Sequence, residues 1–376
     1  MDTSFSIAGR RVGEGAPCFI IAEISGNHHQ SFEEAEALVR AAKAAGADAV
    51  KLQTYTADTI TLNSDKREFV VGGKDHPDDW KGATLYSLYQ TAHTPWEWQP
   101  KLKKLADELG ILFFSSPFDD SAVDFLEHEV GVDFYKVASY EAVHIPLLKK
   151  IAAQHKPVII SIGFATEEEV ALAIKTLKEG GAPEVLVLHC VTAYADAPVL
   201  ADMNLDIIDD IRTRFGVPAG FSDNNAGIMV PTIAAVVHKA AAVEKHLILS
   251  RATGGPDARF SLEPTELTEM VERIRKGERE GVDAALEGLA TQAEVLVTNG
   301  KVNYGPASPM EAENRVFRPS VWVKAPMKKG DTFTIENTRV ARPGHGMLPK
   351  HFEEILGKHA TCNIEAATPV TEDLVE

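Results

Sequence analysis

Residues 18–54 read CFIIAEISGNHHQSFEEAEALVRAAKAAGADAVKLQT, one complete repeat of the pattern that decides the fold. A continuous apolar run at 18–24 is followed by a helical period that opens on a capping box at Ser31 and stops at Gly46. A second apolar run follows at 49–54. Apolar runs that alternate with helices indicate parallel strands buried on both faces.

The same pattern recurs along the chain. Further apolar runs lie at 112–117, 134–139, 157–163, 184–190, 218–223 and 242–247. Eight strands and eight crossovers in about 250 residues are typical of a (β/α)8 TIM barrel. The alternative is a doubly wound sheet, which is disfavoured because no glycine-rich phosphate fingerprint follows the first strand.

Two segments depart from the repeat. The connection at 55–95 is too long for an ordinary loop and predicts a lid or extra structure. After residue 285 the alternation ends, so we predict a barrel domain at 1–284, a linker without a helical face at 285–312 and a compact domain at 313–376. A unit of that size holds little core alone, and we expect it to dock on another surface.

Composition and charge narrow the class of protein. The chain has 376 residues and a net charge of −17, which argues against a nucleic-acid partner. It shows neither a membrane span nor a signal-peptide core at its N-terminus. The cysteines, Cys18, Cys190 and Cys362, lie far apart, so we expect a reduced, cytoplasmic protein.

Polar residues collect where the predicted strands end, which is the active-site face of a barrel. Two lysines at the ends of apolar strands, Lys51 and Lys136, are costly unless they meet anions. With hydroxyls at neighbouring ends they predict a pocket for a phosphate and a carboxylate. A single strand-end serine is commonly a turn residue, and His246 alone is commonly a core histidine, so the prediction depends on their coincidence on one face. The strand-end set is Glu23, Lys51, Gln53, Ser115, Ser116, Lys136, Ser139, Ser161, His189, Ser222, Asp223, Glu244 and His246.

Ordered motifs over nearly the whole chain resemble the sialic acid synthase family. They include FIIAEISGNHHQ, GADAVKLQTY, FFSSPFD, YKVASYE, KPVIISIG, GFSDN, VEKH and GGPDARFSLEP. The tail ENTRVARPGHGMLPK resembles the family's antifreeze-like (SAF) domain of β-clip type. LYSLYQTAHTPWEWQPKL, VASYE and ARFSLEP are most similar to the pseudaminic acid synthases of the family.

The resemblance implies condensation of phosphoenolpyruvate with an N-acetylated amino-sugar aldehyde. The family's positions that hold the phosphate and carboxylate of phosphoenolpyruvate correspond to Lys51, Ser116, Lys136, Ser139, Ser161 and Ser222. Its sugar positions correspond to Glu23, Gln53, Tyr194 and Asp257. Arg342 corresponds to an arginine that reaches a partner subunit's barrel, which implies a domain-swapped homodimer. We expect Glu23, Lys51 and Lys136 to be catalytic, with Glu23 orienting sugar hydroxyls or moving a proton.

The metal site departs from the family pattern. His246 corresponds to one of two histidines that hold Mn²⁺ or Mg²⁺, but Asn224 stands where the second is expected. Thr192 and Ile162 also differ from the usual residues. Three possibilities follow: a weakened site that uses Asn224, a reaction without metal, or a recruited ligand such as Asp223 or His189. We favour the weakened site.

Other functions remain open at this point. One alternative is an N-acetylneuraminate or legionaminic acid synthase, because the geometry of the loops determines which hydroxyl and acetamido groups of the acceptor sugar are recognised. A carbohydrate- or ice-binding relative with a degenerate barrel is another, but retention of Glu23, Lys51, Lys136 and Ser139 argues against it. An aldolase would require a Schiff-base lysine.

Overall fold

A computed structural model describes residues 4–71, 82–192 and 197–376. An antiparallel hairpin, β1 (Phe5–Ile7) and β2 (Arg10–Val12), precedes eight parallel strands in the described ranges. These are β3 (Phe19–Glu23), β4 (Ala49–Thr54), β5 (Leu112–Pro117), β6 (Tyr135–Val137), β7 (Val158–Ser161), β8 (Val185–Val191), β9 (Ala219–Asp223) and β10 (Ala242–His246).

The strands form a nearly closed barrel, as predicted. Hydrogen-bonded neighbours run in the order β5-β4-β3-β10-β9-β8-β7-β6, and β5 and β6 contact each other across the remaining gap. The predicted strand at 134–139 is shorter in the structure because a helical turn, Ser139–Val143, begins at its expected end.

Helices cover the outside of the barrel. The helix after β3 begins where the capping box predicted, because the Ser31 side chain accepts a hydrogen bond from the backbone N–H of Glu34. The helices up to residue 286 are α1 (Phe32–Ala44), α2 (Ala57–Ile60), α3 (Leu85–Ala92), α4 (Gln99–Leu109), α5 (Asp120–Phe125), α6 (Ile145–Ala152), α7 (Glu167–Glu179), α8 (Asp206–Phe215), α9 (Met229–Val236), α10 (Pro264–Glu280) and α11 (Val282–Leu286).

The barrel interior changes from apolar to polar along each strand. Phe19, Ala49 and Ala242 belong to an apolar cluster that the β1–β2 hairpin covers with Phe5, Ile7 and Val12. Side chains two residues apart share a strand face, so Ile21 precedes Glu23, Ala49 precedes Lys51, and Ala242 precedes Glu244. The strand order therefore concentrates polar groups at one end of the barrel.

The predicted linker contains helices, so the expectation that it lacks a helical face is wrong. Helix α12 (Gln292–Asn299) begins with a reciprocal capping box between Thr291 and Glu294, and α13 (Pro309–Asn314) is capped by Ser308. Glu311 of α13 accepts hydrogen bonds from the backbone N–H and the hydroxyl of Thr192, directly after β8. The segment is packed against the barrel.

The tail forms a three-stranded antiparallel sheet, β12-β11-β13, from β11 (Ser320–Val323), β12 (Thr338–Ala341) and β13 (Thr368–Pro369). The tail has an apolar cluster of its own, and a short helix, α14 (Phe352–Ile355), packs on that cluster. Trp322 packs on Phe69 of the long connection, with ring centroids 4.6 Å apart. The tail thus docks on the barrel's insertion. Within the described ranges, no helix combines the length and apolar content of a membrane span.

Candidate active site

A cavity of about 430 Å³ opens at the carboxyl ends of the strands; we call it the strand-end cavity. It is bounded by strand-end residues, the long connection, α13 and the tail. The predicted site residues that line it are Lys51, Gln53, Lys136, Ser139, Ser161, Ser222, Asn224, His246, Asp257 and Arg342. Glu23 and Ser116 lie behind Lys51, and Tyr194 lies outside the described residues.

Four buried charges, Glu23, Lys51, Lys136 and Glu244, form a lysine–glutamate cluster on the cavity wall. Glu23 Oε2 pairs with Lys51 Nζ, while Glu244 lies between both lysines, with Oε1 3.4 Å from Lys51 Nζ and Oε2 3.6 Å from Lys136 Nζ. No member is more than 5% exposed. Two ammonium groups are thereby held with two carboxylates where water has little access.

Burial sets the electrostatics of this cluster. It lowers the pKa of Lys51 to about 8, although Glu244 opposes the shift. Burial would raise the pKa of Glu244, but the charges of Lys136 and Lys51 outweigh it and the pKa is lowered. Glu244 is therefore ionised at neutral pH, and Lys51 changes charge close to physiological pH.

Hydroxyl groups surround the cluster. Lys136 Nζ donates to Ser161 Oγ at 2.7 Å, Lys51 Nζ contacts Ser116 Oγ at 3.5 Å, and Ser222 Oγ lies 3.5 Å from Glu244 Oε1. Ser139 Oγ is buried and has no hydrogen-bond partner among the described residues. An anion in the cavity would supply that partner.

His246 and Asn224 are the predicted metal ligands, and both line the cavity. Burial, followed by the charge of Lys51, lowers the pKa of His246 well below its usual value, so the imidazole is neutral. Its Nδ1 atom has no hydrogen-bond partner in the described ranges, and Asp257 Oδ2 is 3.9 Å away. The Asn224 amide lies 3.5 Å from Cys190 Sγ. A neutral imidazole, a nearby carboxylate and an amide oxygen fit a divalent ion such as Mn²⁺ or Mg²⁺.

The recruited ligands considered above have other partners. Asp223 pairs with Lys245 Nζ at 3.2 Å and accepts from the Asn225 amide at 2.9 Å. His189 Nε2 lies 2.8 Å from the carbonyl oxygen of Met203. Neither residue is part of the cavity lining that the described residues form. The structure does not support recruitment of either as a ligand there.

A different group of potential metal ligands lies in the helix layer. Among the described residues, ligand atoms of Asp206, Asp209 and His238 lie within 4.8 Å of one another. His238 is hydrogen bonded through both ring nitrogens, to Asp209 Oδ2 at 2.8 Å and to Asn299 Oδ1 at 3.1 Å. Hydrogen bonding accounts for this arrangement, and the group is separate from the cavity lining.

Arg342 reaches the cavity from the tail. Its Nη2 donates to Glu141 Oε1 at 2.6 Å, and its Nη1 donates to the Tyr89 hydroxyl at 3.2 Å. The sequence-based expectation was that Arg342 enters a partner's barrel, whereas here it enters the barrel of its own chain. The insertion explains this placement, because the Arg342 backbone N–H donates to the carbonyl oxygen of Ile60.

Sequence reasoning missed several residues of the site. Glu244 is a member of the predicted strand-end set, but it had no assigned role. Its spacing of two residues from both Ala242 and His246 was the available signal, because side chains two residues apart lie on the same face of a strand. Ser25, Glu141 and α13 had no such signal, because their contacts come from distant segments.

Comparison with known proteins agrees with this geometry. A model described as the NeuB family matches residues 38–283, and a SAF domain model matches residues 318–376. The chain is 38% identical to the pseudaminic acid synthase of Campylobacter jejuni over 94% of this chain and 95% of that protein. It is 32% identical to the N,N'-diacetyllegionaminic acid synthase of Legionella pneumophila over 97% and 96% of the two chains.

A solved structure covers both parts of the fold. The spore coat polysaccharide biosynthesis protein SpsE of Bacillus subtilis is 33% identical, with a TM-score of 0.83 over 99% of each chain. The similarity therefore extends through the barrel, the connecting helices and the tail.

Proposed function

The chain belongs to the NeuB family, and on that premise we propose that it condenses phosphoenolpyruvate with an N-acetylated amino-sugar aldehyde to give a nonulosonic acid and inorganic phosphate. The observation that carries the proposal is the lysine–glutamate cluster with its hydroxyls, which offers two ammonium groups to one anionic ligand. Similarity to a pseudaminic acid synthase favours a 2,4-diacetamido-2,4,6-trideoxyhexose as acceptor.

The proposed reaction forms one carbon–carbon bond and releases one phosphate. The electron pair of the enol double bond joins C3 to the aldehyde carbon, and the aldehyde oxygen gains a proton. Water adds at C2, loses a proton, and the tetrahedral carbon expels phosphate by cleavage of its bond to the bridging oxygen. The sum is phosphoenolpyruvate, aldehyde and water in, nonulosonic acid and phosphate out.

Each cluster residue has a task in this scheme. Lys51 and Lys136 hold the phosphate and carboxylate, together with Ser139, Ser161 and Ser222, while Ser116 contacts Lys51 from behind. Glu23 is buried behind Lys51 and orients it. We assign proton removal from the attacking water to Glu244, because this carboxylate is ionised and lines the cavity. When bound by His246 and Asn224, a divalent ion supplies Lewis acidity towards the aldehyde oxygen.

Phosphate release tests the proposal. Purified protein is incubated with phosphoenolpyruvate and 2,4-diacetamido-2,4,6-trideoxyaltrose, with N-acetylmannosamine and the legionaminic acid precursor as parallel acceptors. We expect phosphate to appear only with acceptor, fastest with the altro sugar, and to fall when EDTA is added. Absence of turnover with every N-acetylated sugar, with or without Mn²⁺, would contradict the proposal.

We also propose a homodimer in the cytoplasm, where phosphoenolpyruvate is formed. The same contacts that place Arg342 in its own barrel would serve a neighbouring barrel if the segment 285–312 crossed between subunits. Light scattering after gel filtration measures this directly: a mass near 82 kDa is expected, twice the 40.8 kDa chain, and 40.8 kDa at micromolar concentration would contradict it.

A further inference from the structure

Ser25 lies directly after β3 at the rim of the strand-end cavity, and its backbone is strained. Its φ is 50°, in the left-handed region that a residue with a Cβ rarely adopts. It is 6% exposed and lines the cavity. Such a conformation persists only where the surroundings hold it in place.

The hydrogen bonds of Ser25 connect three predicted site residues. Its backbone N–H donates to Glu23 Oε1 at 2.7 Å. Its hydroxyl contacts Asp257 Oδ2 at 2.5 Å and Gln53 Nε2 at 3.1 Å. Ser25 therefore joins the lysine–glutamate cluster, through its backbone N–H, to Gln53 and Asp257, two of the four residues that the family resemblance assigns to the sugar.

The direction of these bonds follows from donor and acceptor chemistry. The Ser25 hydroxyl donates its single proton to Asp257 Oδ2, which accepts it. The hydroxyl oxygen of Ser25 must then accept from the Gln53 amide nitrogen, which fixes the orientation of that amide. Gln53 and Asp257 both line the cavity, so the carbonyl oxygen of Gln53 and the Asp257 carboxylate, which also accepts from the Gly26 backbone N–H, are the acceptors at this corner.

We infer that Ser25 is a positioning residue for the acceptor sugar, holding Gln53 and Asp257 so that this corner of the cavity accepts hydrogen bonds from hydroxyl or acetamido N–H groups. The inference rests on the proposed function, since it concerns the second substrate of that reaction. It separates the two halves of the site: the phosphoenolpyruvate end depends on the lysines, and the sugar end depends on the Ser25 hydroxyl.

Two substitutions distinguish the effect of the Ser25 hydroxyl from the effect of its backbone conformation. Ser25→Gly removes the hydroxyl and relieves the positive φ, whereas Ser25→Ala removes the hydroxyl and keeps the Cβ. Ala8→Gly is the matched control, because Ala8 is exposed with a φ of 48° and lies in the β1–β2 hairpin. Steady-state kinetics are measured with phosphoenolpyruvate and 2,4-diacetamido-2,4,6-trideoxyaltrose, alongside the melting temperature.

In both Ser25 variants we expect the KM for the sugar to rise about tenfold, as for loss of a hydrogen bond to a charged group. We expect the KM for phosphoenolpyruvate to stay within twofold of the wild-type value. Only Ser25→Ala keeps a Cβ in the strained backbone conformation, so its melting temperature should lie below that of Ser25→Gly.

The contrary results are distinct. A sugar KM in Ser25→Gly within twofold of wild type overturns the inference, as does an equal rise of both KM values. Loss of activity that follows the melting temperature and appears only in Ser25→Ala indicates a structural role and also overturns it. A wild type without turnover on any acceptor contradicts the proposed function itself, and the inference falls with it.

Discussion

At the scale of single residues, we predict that the charge of Lys51 makes the binding of phosphoenolpyruvate depend on pH. Its pKa is lowered to about 8 by burial, so the free protein loses this ammonium as the pH rises through about 8. We expect the affinity for phosphoenolpyruvate to be level below pH 7 and to fall about tenfold per unit above pH 8, as for loss of one proton.

Calorimetric titration of phosphoenolpyruvate between pH 6.5 and 9.5 measures that dependence. Lys51→Arg is the informative variant, because a guanidinium stays charged throughout and moves the decline beyond the range tested. An affinity of the wild type that is constant to pH 9.5 would contradict the assignment to Lys51.

Asn224 is the predicted metal ligand that departs from the family pattern, and we predict that it sets the affinity for metal. Asn224 and His246 both line the cavity, and the neutral His246 has an Nδ1 without a hydrogen-bond partner in the described part of the chain. We expect Asn224→His to tighten Mn²⁺ binding by about tenfold or more, because imidazole binds Mn²⁺ more strongly than an amide oxygen does. Electron paramagnetic resonance of free Mn²⁺ measures the affinity without any need for turnover.

The double variant Asn224→His/His246→Asn provides the control for that prediction. It exchanges the two ligand types, so its Mn²⁺ affinity should return close to the wild-type value. Equal Mn²⁺ affinities of wild type and Asn224→His would show that position 224 is not a ligand.

At the scale of secondary-structure elements, a buried ion pair holds the ends of β9 and β10 together. Lys245 is fully buried, pairs with Asp223 and donates to the backbone carbonyl of Asn225. Lys245→Met leaves the Asp223 carboxylate buried without its cation, and we expect a loss of about 3–5 kcal/mol in the free energy of unfolding. Urea denaturation at pH 7 measures it.

The rescue variant is Lys245→Met/Asp223→Asn. The amide that this variant places on β9 is uncharged and can still accept a hydrogen bond from Asn225, so we expect the variant to recover much of the loss. A cost below about 1 kcal/mol for Lys245→Met would show that water reaches the pair.

The elements were predictable to the extent that their signals are local. Continuous apolar runs predicted all eight barrel strands, and Ser31 predicted the start of α1. The helices α12 and α13 were not predicted because their sequences have weak amphipathic character. Thr291 and Ser308 are recognisable N-cap residues and could have indicated where the two helices begin. The contacts of Ser25 were not predictable, because Asp257 lies in an irregular segment after β10 whose path the apolar pattern does not predict.

At the scale of the whole molecule, the proposed function requires a small anion to bind to a strongly acidic protein. The net charge of −17 repels phosphoenolpyruvate at long range, and salt screens that repulsion beyond about 10 Å. Under the proposed function, affinity for phosphoenolpyruvate therefore depends on the local field of Lys51 and Lys136, which the barrel places together from strands 85 residues apart in sequence (136 − 51).

The tail completes the same site from the far end of the chain. Trp322 packs on Phe69, and Arg342, which lines the cavity, pairs with the buried Glu141. The domain limits 1–284, 285–312 and 313–376 stay a prediction. Residues of the barrel, of α13 and of the tail all line the strand-end cavity, so the barrel and the tail form one cavity together.

We propose that the strand-end lysines form the phosphoenolpyruvate site, and a measurement of equilibrium binding in the absence of sugar tests this. Calorimetry compares wild type with Lys136→Met, using Lys149→Met as control because Lys149 lies in an exposed surface ion pair. We predict that wild type and control bind alike and that Lys136→Met binds at least about 100-fold more weakly, as for loss of a buried charge-assisted contact. A folded Lys136→Met protein that binds phosphoenolpyruvate as tightly as wild type would contradict the claim.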